Sequence, residues 1–180
     1  MNKAVFFDRD GVMTKNVNGE APTRIADLEL IPEIIPIVSR LGKIGYKVFV
    51  LSNQPDAALG IINEETKIGL VKKFKKLLKK NHISVDQIYY CFHASSEGCS
   101  CHKPKPGMIL KALHDYNISP TTSFIIGDRA SDIKAGDLAG VQTILLDPKN
   151  SEEFFLELYN VKPDYIIKEL SEALKVIKSS

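Results

Sequence analysis

The sequence predicts a three-layer α/β sandwich built on a mostly parallel sheet. Three observations carry that prediction. Short apolar runs rich in β-branched and aromatic residues recur along the 180-residue chain, as buried parallel strands do. Helical patterns fall between them, and strands alternating with helices specify a sheet covered on both faces. Several runs close on a polar residue. That gathers polar side chains at the carboxyl rim of the sheet, where such folds bind ligands.

The elements follow in order. Lys3 to Phe7 is the first strand and closes on Asp8. Pro32 to Leu41 is a helix with Ile34, Ile37, Val38 and Leu41 on one face. Tyr46 to Leu51 is a strand closing on Ser52-Asn53. Asn63 caps the next helix, whose first turn holds Glu64 and Glu65. Its apolar positions are Ile68, Val71, Phe74 and Leu78, and Lys72, Lys73, Lys75, Lys76, Lys79 and Lys80 form a solvated face. Gln87 to Tyr90 is a weaker strand, with Tyr89 and Tyr90 beside the sheet edge. Pro106 starts a helix through Ile109, Leu110 and Leu113. Ser123 to Ile126 is a strand closing on Gly127-Asp128, and Ala130 to Leu138 is a helix. Val141 to Leu146 is a strand closing on Asp147, which is expected to cap a turn. A sixth strand at Asp164 to Ile167 and a helix from about Leu170 to Ile177 follow. No repeat or linker divides the chain, so residues 1–180 are expected to form one Rossmann-like domain.

Composition narrows the function. Basic residues number 24 and acidic residues 22, for a net charge of +2. That balance makes no case for a nucleic-acid or anionic-membrane partner. No apolar run approaches the roughly 20 residues that span a bilayer. The charged run Asp8-Arg9-Asp10 comes too early for a secretory signal. A cytoplasmic protein is expected, acting as a monomer with no membrane partner.

The chemistry concentrates at strand ends. Asp8 and Asp10 stand two residues apart and face the same side if strand geometry persists. Gly11 lets the chain turn sharply after them, and Asp128 can join them from a neighbouring strand. Crowded carboxylates repel, and a hard cation relieves the repulsion. Mg²⁺ suits oxygen ligands and accepts a substrate phosphate in its shell. Lys103 can supply further positive charge.

The three cysteines lie within eleven residues of one another, an odd number that argues poorly for disulfides. Cys91-x-His93 and Cys99-x-Cys101 together offer a Cys₃His set for a closed, structural Zn²⁺ site. His102 is an alternative fourth ligand. The loop leads directly into Lys103.

These residues, in this order, resemble the haloacid dehalogenase (HAD) superfamily of phosphotransferases over almost the whole chain. Asp8-x-Asp10-Gly11 resembles its first motif, Ser52-Asn53 its second, Lys103 its third, and Gly127-Asp128-x₃-Asp132 its fourth. The resemblance implies a phosphatase. Asp8 would attack phosphorus and form an aspartyl-phosphate. Asp10 would protonate the leaving oxygen and then activate water. Ser52, Asn53 and Lys103 would hold the phosphoryl oxygens. Mg²⁺ would sit on Asp8, Asp128 and Asp10, the last through its backbone carbonyl. Asp132 would orient Lys103 or a metal-bound water. The non-enzymatic alternative is a phosphate-sensing module, such as a response-regulator receiver, which also sets acids and a lysine on a parallel sheet.

Within the superfamily, the paired metal-ligand loop before Lys103-Pro104-Lys105-Pro106-Gly107-Met108 is similar to two groups. One acts on D-glycero-D-manno-heptose 1,7-bisphosphate, the other on histidinol phosphate. Either implies a small phosphorylated metabolite as partner, with His102 and Arg129 among its contacts. A polynucleotide 3′-phosphatase is a further alternative. The chain departs from the heptose-bisphosphate pattern at His102 and Leu59, where that group carries arginine, and from Asn16 to Pro22, which lacks the usual aromatic. Arg129 and Arg24 are the cations expected to compensate. The short stretches after the first and second motifs leave no room for a cap domain, so a capless enzyme with an open site is expected.

Overall fold

The sheet explains why the first strand is apolar on both sides. The strands are β1 (Lys3–Asp8), β2 (Tyr46–Asn53), β3 (Gln87–Cys91), β4 (Phe124–Gly127), β5 (Gln142–Leu146) and β6 (Tyr165–Ile167). In the computed structural model, which describes residues 1–179, they pair in the order β3-β2-β1-β4-β5-β6. Every pairing is parallel. β1 therefore sits at the centre, with Phe6 opposite Phe49 on one side and Ile125 on the other.

The two-residue period of β1 feeds two cores. Val5 and Phe7 point into one, with Ile34, Ile37, Val38 and Leu41 of α1 (Ile34–Lys43) and Leu70, Phe74 and Leu78 of α2 (Glu64–Lys80). Ala173 and Ile177 of α6 (Ala173–Ser179) join them. Ala4 and Phe6 point into the other. There they meet Met108, Ile109 and Ala112 of α3 (Gly107–Asp115) and Ala135 and Ala139 of α4 (Ala130–Ala139). The result is helix, sheet, helix. α4 packs so close that a Cβ on Gly136 would lie 2.4 Å from Ile125 Cγ2.

Several expectations need correction. On α2 the buried stripe is Leu70, Phe74 and Leu78, while Ile68 is exposed. Leu70 precedes Phe74 by four residues and shares its face, whereas Ile68 precedes it by six and lies about 120° round the helix. Each buried side chain there contributes about 1.5–3 kcal/mol, against about 0.3–0.5 kcal/mol for an exposed ion pair between a lysine and a carboxylate on one helix. The apolar stripe therefore sets how α2 docks. Leu110 is likewise exposed. The last helical stretch is divided between a 3₁₀ turn at Leu170–Glu172 and α6. A further helix, α5 (Glu153–Leu158), was not expected from the sequence. It has no buried residues, and Phe154 and Leu158 are exposed. Asn63 does cap α2, accepting from Thr66 N–H at 2.8 Å. Asp147 caps its turn through the N–H groups of Ser151 and Glu152.

The topology places the site. The strand order reverses between β1 and β4, and a crevice opens at the carboxyl ends of such a pair. Asp8 ends β1, and Asp128 follows Gly127 at the end of β4. Among the described residues, the segment between β1 and α1 holds one 3₁₀ turn, and that between β2 and β3 holds α2. Neither contains a cap domain.

Candidate active site

The Lys103 side chain lies almost fully buried at the switch point, with 5% of the residue exposed. Its ammonium donates to Asp8 Oδ1 and, at 2.5 Å, to Asp132 Oδ1. Burial alone would lower its pKa; Asp132 and Asp8 outweigh that and raise it above the ordinary lysine value. The lysine backbone is fixed as well. Asn53 Nδ2 donates to the Lys103 carbonyl at 3.0 Å, and Asn53 Oδ1 accepts from the Lys103 N–H at 3.1 Å. The Asn53 amide thus grips the chain at Lys103, a partner the sequence did not suggest.

Two glycines let the carboxylates close in. Gly11 has φ +91°, and a Cβ there would lie 1.9 Å from Asp128 Oδ2. A Cβ on Gly127 would lie 2.2 Å from the Asp132 Cβ. The crowding has an electrostatic consequence. Burial pushes the Asp8 carboxyl well above the ordinary range; Lys103 pulls it down, and Asp132, Asp128 and Asp10 push it up again. Burial and then Asp132 raise the Asp128 carboxyl to about 7.

Asp8, Asp128 and Asp132 each offer an oxygen within 4.8 Å of the others. Asp132 is already engaged, by Lys103 and by the Arg129 N–H at 3.2 Å. Asp128 Oδ1 is buried with no partner among the described residues. Its Oδ2 accepts from Asn16 Nδ2 at 3.2 Å. An orphaned carboxylate oxygen among hard donors fits a divalent cation such as Mg²⁺. The Asp10 carboxylate does not join this group. It faces Arg9 Nε, Thr14 Oγ1 and Gln54 Nε2. Ser52 is fully buried, and its hydroxyl has no partner among the described residues.

A cleft of about 570 Å³ opens over Asp8, Asp10, Asn53 and Lys103. His102, Arg129, Glu20 and Asp56 line its walls, with Leu59, Ile61 and Tyr159. A larger groove of about 1250 Å³ runs past Asp128, but neither Asp8 nor Lys103 lines it. Arg129 Nη2 donates to the Gly19 carbonyl at 2.8 Å and to Glu20 Oε2 at 3.0 Å. Arg24 is not on the cleft wall; it is exposed and pairs with Asp27. Asp56 is held above the ordinary carboxylate range by burial and by Asp10. Glu20, Asp56 and Tyr159 are cleft residues that sequence reasoning missed.

The sulfur cluster stands beside this cleft. Cys91 Sγ lies 3.1 Å from Cys101 Sγ and 3.6 Å from Cys99 Sγ, and Cys99 and Cys101 are 3.4 Å apart. Tetrahedral zinc with Zn–S of about 2.3 Å requires about 3.8 Å between sulfurs, whereas a disulfide requires about 2.05 Å. His93 Nδ1 is 3.3 Å from Cys101 Sγ and 3.6 Å from Cys91 Sγ. His102 Nδ1 is 3.1 Å from the His93 carbonyl. A carbonyl only accepts, so this contact puts the proton on Nδ1, and the ligand atoms that lie within 4.8 Å of one another are those of Cys91, His93, Cys99 and Cys101. Lys105 Nζ closes the loop on the carbonyls of Gly98 and Cys99.

Comparison with known proteins agrees with this geometry. A family model described as HAD-hydrolase-like matches residues 100–173. The D-glycero-beta-D-manno-heptose-1,7-bisphosphate 7-phosphatase of Haemophilus influenzae is 36% identical over 152 residues, 81% of this chain and 82% of that protein. The corresponding alpha-heptose enzyme of Campylobacter jejuni is 35% identical, covering 89% of this chain and 92% of that one. A solved D,D-heptose 1,7-bisphosphate phosphatase from B. bronchiseptica, complexed with magnesium and phosphate, superposes with a TM-score of 0.83 at 23% identity over 99% of both chains.

The carboxylate crowding gives a test in solution. With Asp8 and Asp128 raised, the folded state holds protons that the unfolded chain has lost, so stability falls as pH rises from about 4 to about 7. A cation competes with those protons. Added Mg²⁺ should therefore raise the melting temperature more at about pH 8 than at about pH 5. Equal shifts at both pH values would contradict the cation site.

Proposed function

We propose that this chain, which belongs to the HAD-like phosphatase family, is a Mg²⁺-dependent phosphatase whose substrate is D-glycero-D-manno-heptose 1,7-bisphosphate, attacked at its 7-phosphate. The observation that carries the activity is the buried Lys103 ammonium between Asp8 and Asp132, beside the orphaned Asp128 oxygen. The substrate rests on the likeness to 7-phosphatases along most of the chain.

The chemistry follows from the residues. Asp8 attacks phosphorus, the P–O ester bond breaks, and an aspartyl-phosphate forms. Asp10 gives its proton to the departing ester oxygen. In the second half Asp10 takes a proton from water, which attacks phosphorus and frees Asp8. Lys103 neutralises charge on the phosphoryl oxygens, and the unpartnered Ser52 hydroxyl suits another of them. Asn53 holds Lys103 in register. Asp8, Asp128 and the Asp10 backbone carbonyl would hold Mg²⁺, which supplies charge neutralisation for nucleophile and phosphate. His102 and Arg129 would face the sugar. Cys91, His93, Cys99 and Cys101 would hold Zn²⁺ in a closed site that shapes the loop before Lys103.

One observation favours a second reading. Glu20 and Asp56 put carboxylates on the cleft wall. They suit a cationic leaving group, as in histidinol phosphate, and oppose a polynucleotide end.

A phosphate-release assay tests the substrate. Both anomers of heptose 1,7-bisphosphate should outpace histidinol phosphate and 3′-phosphorylated oligonucleotides. Faster release from histidinol phosphate would transfer the assignment to the second reading. Asp8→Asn should abolish turnover while leaving the circular dichroism unchanged; surviving turnover would remove Asp8 as nucleophile. Metal analysis should find about one zinc per chain. A zinc-free protein with an unchanged melting temperature would end the proposed staple.

A further inference from the structure

Arg9 follows the nucleophile in sequence yet is 0% exposed. A buried cation is strongly disfavoured unless it is paired, and the pairing here is with the next residue. Arg9 Nε lies 3.0 Å from both Asp10 carboxylate oxygens, and Nη2 lies 2.8 Å from Oδ2. The remainder of the guanidinium sits in a socket. Its Cζ is 5.9 Å from the ring centre of Phe74 on α2. Beside it is Tyr90 on β3, whose phenol burial pushes up in pKa and Arg9 draws down.

Asp10 receives two further donors. Gln54 Nε2 is 2.8 Å from Oδ2 and 2.8 Å from the Asn53 carbonyl. Thr14 Oγ1 is 2.9 Å from Oδ1 and 3.1 Å from the Arg9 carbonyl. Arg9 and the Gln54 amide nitrogen can only donate. Thr14 has one proton and two acceptors, so it alone can turn away. The two Asp10 oxygens are therefore not equivalent.

We infer that Arg9 is a positioning residue. It fixes the Asp10 carboxylate so that Oδ1, the oxygen beside Thr14, carries the proton in the reaction. The inference rests on the reading of Asp10 as acid and base given above. In the first half the proton leaves Oδ1 for the ester oxygen as the P–O bond breaks. In the second half Oδ1 takes a proton from the attacking water as the bond between phosphorus and Asp8 breaks. Thr14 meanwhile directs its own proton to the Arg9 carbonyl and leaves Oδ1 with the Arg9 Nε contact alone, which Nε shares with Oδ2.

Leaving-group dependence tests this. p-Nitrophenolate departs without a proton, whereas a sugar oxygen needs one. Arg9→Met removes the guanidinium and leaves the Asp10 carboxylate with Thr14 and Gln54 as its donors. In single turnovers it should slow cleavage of heptose 1,7-bisphosphate about 10²-fold and change the first turnover of p-nitrophenyl phosphate little. Phosphoenzyme should then accumulate, because the second half is slowed as well. Arg9→Lys keeps the charge but loses the fork, so it should show the same selectivity at smaller size, and it carries the test if Arg9→Met does not fold. Equal losses on both esters without phosphoenzyme, or no loss on either, would overturn the inference. Asp10→Asn separates this from the underlying reading, since it should trap phosphate on Asp8 from p-nitrophenyl phosphate. If none is trapped, the acid–base reading falls and the Arg9 role with it. If phosphate is trapped and the Arg9 variants show no selectivity, the Arg9 role falls alone.

Discussion

One ammonium shared between two buried carboxylates governs the site. Lys103 reaches both Asp8 and Asp132 from a loop, and its pocket excludes most water. Such a group is stable only when its partners are held in place. Much of the surrounding structure serves that end. Asn53 ties the Lys103 backbone to the end of β2. The absence of a side chain at Gly127 admits Asp132. The sulfur loop spans the chain from Cys91 at the end of β3 to Lys103, just before α3. Lys103 faces Asp8, Asp128 and Asp132 together, and burial first, then repulsion from Asp132, raises the Asp8 and Asp128 carboxyls. A second positive charge is thus built into the design of the site.

The sheet delivers these groups because of where its order reverses. β1 and β4 are adjacent but lead to opposite edges, so the connections at their carboxyl ends part and leave a crevice. Asp8 and Asp128 stand on its two sides. The apolar faces of β1 keep that strand fixed between two cores. The proposed nucleophile, Asp8, stands at its end and inherits this rigidity, which a loop residue would lack.

What the sequence made legible follows from how local each signal was. The strands were legible because each is a short apolar run, and the carboxylates because they end those runs. α5 was not, since Phe154, Phe155 and Leu158 mark it as apolar while none of its residues is buried. A helix that does not pack into the core leaves no reliable period to read. The α2 stripe was misplaced at Ile68 because three-residue steps through Val71 to Phe74 leave the face that Leu70, Phe74 and Leu78 share at four-residue steps. The contact of Asn53 with Lys103 was not legible for a different reason. Its amide meets Lys103 across 50 residues of chain, and no local pattern records such a contact. The same holds for Gln54 and Asp10, which are 44 residues apart.

The walls of the cleft obey a different logic from its floor. The floor is set by strand ends, and the walls by side chains on loops. Arg129 is a cation on the cleft wall proposed to meet the substrate, but Glu20 already answers it at 3.0 Å. A second phosphate must therefore replace that carboxylate. The exchange favours phosphate, which carries more charge and more acceptor oxygens. It need move only one side chain, because Glu20 closes a tight turn with Val17 through its backbone alone. Asp56 is in no ion pair among the described residues, and its carboxyl is raised by burial and Asp10 and drawn down by Arg9. It repels a phosphate placed near it and tolerates a hydroxyl or an ammonium. The cleft is thus polarised, with Arg129 able to receive an anion and Asp56 facing the neutral or cationic part of the molecule. On the proposed reading, a bisphosphate would set its second phosphate toward Arg129 and away from Asp56.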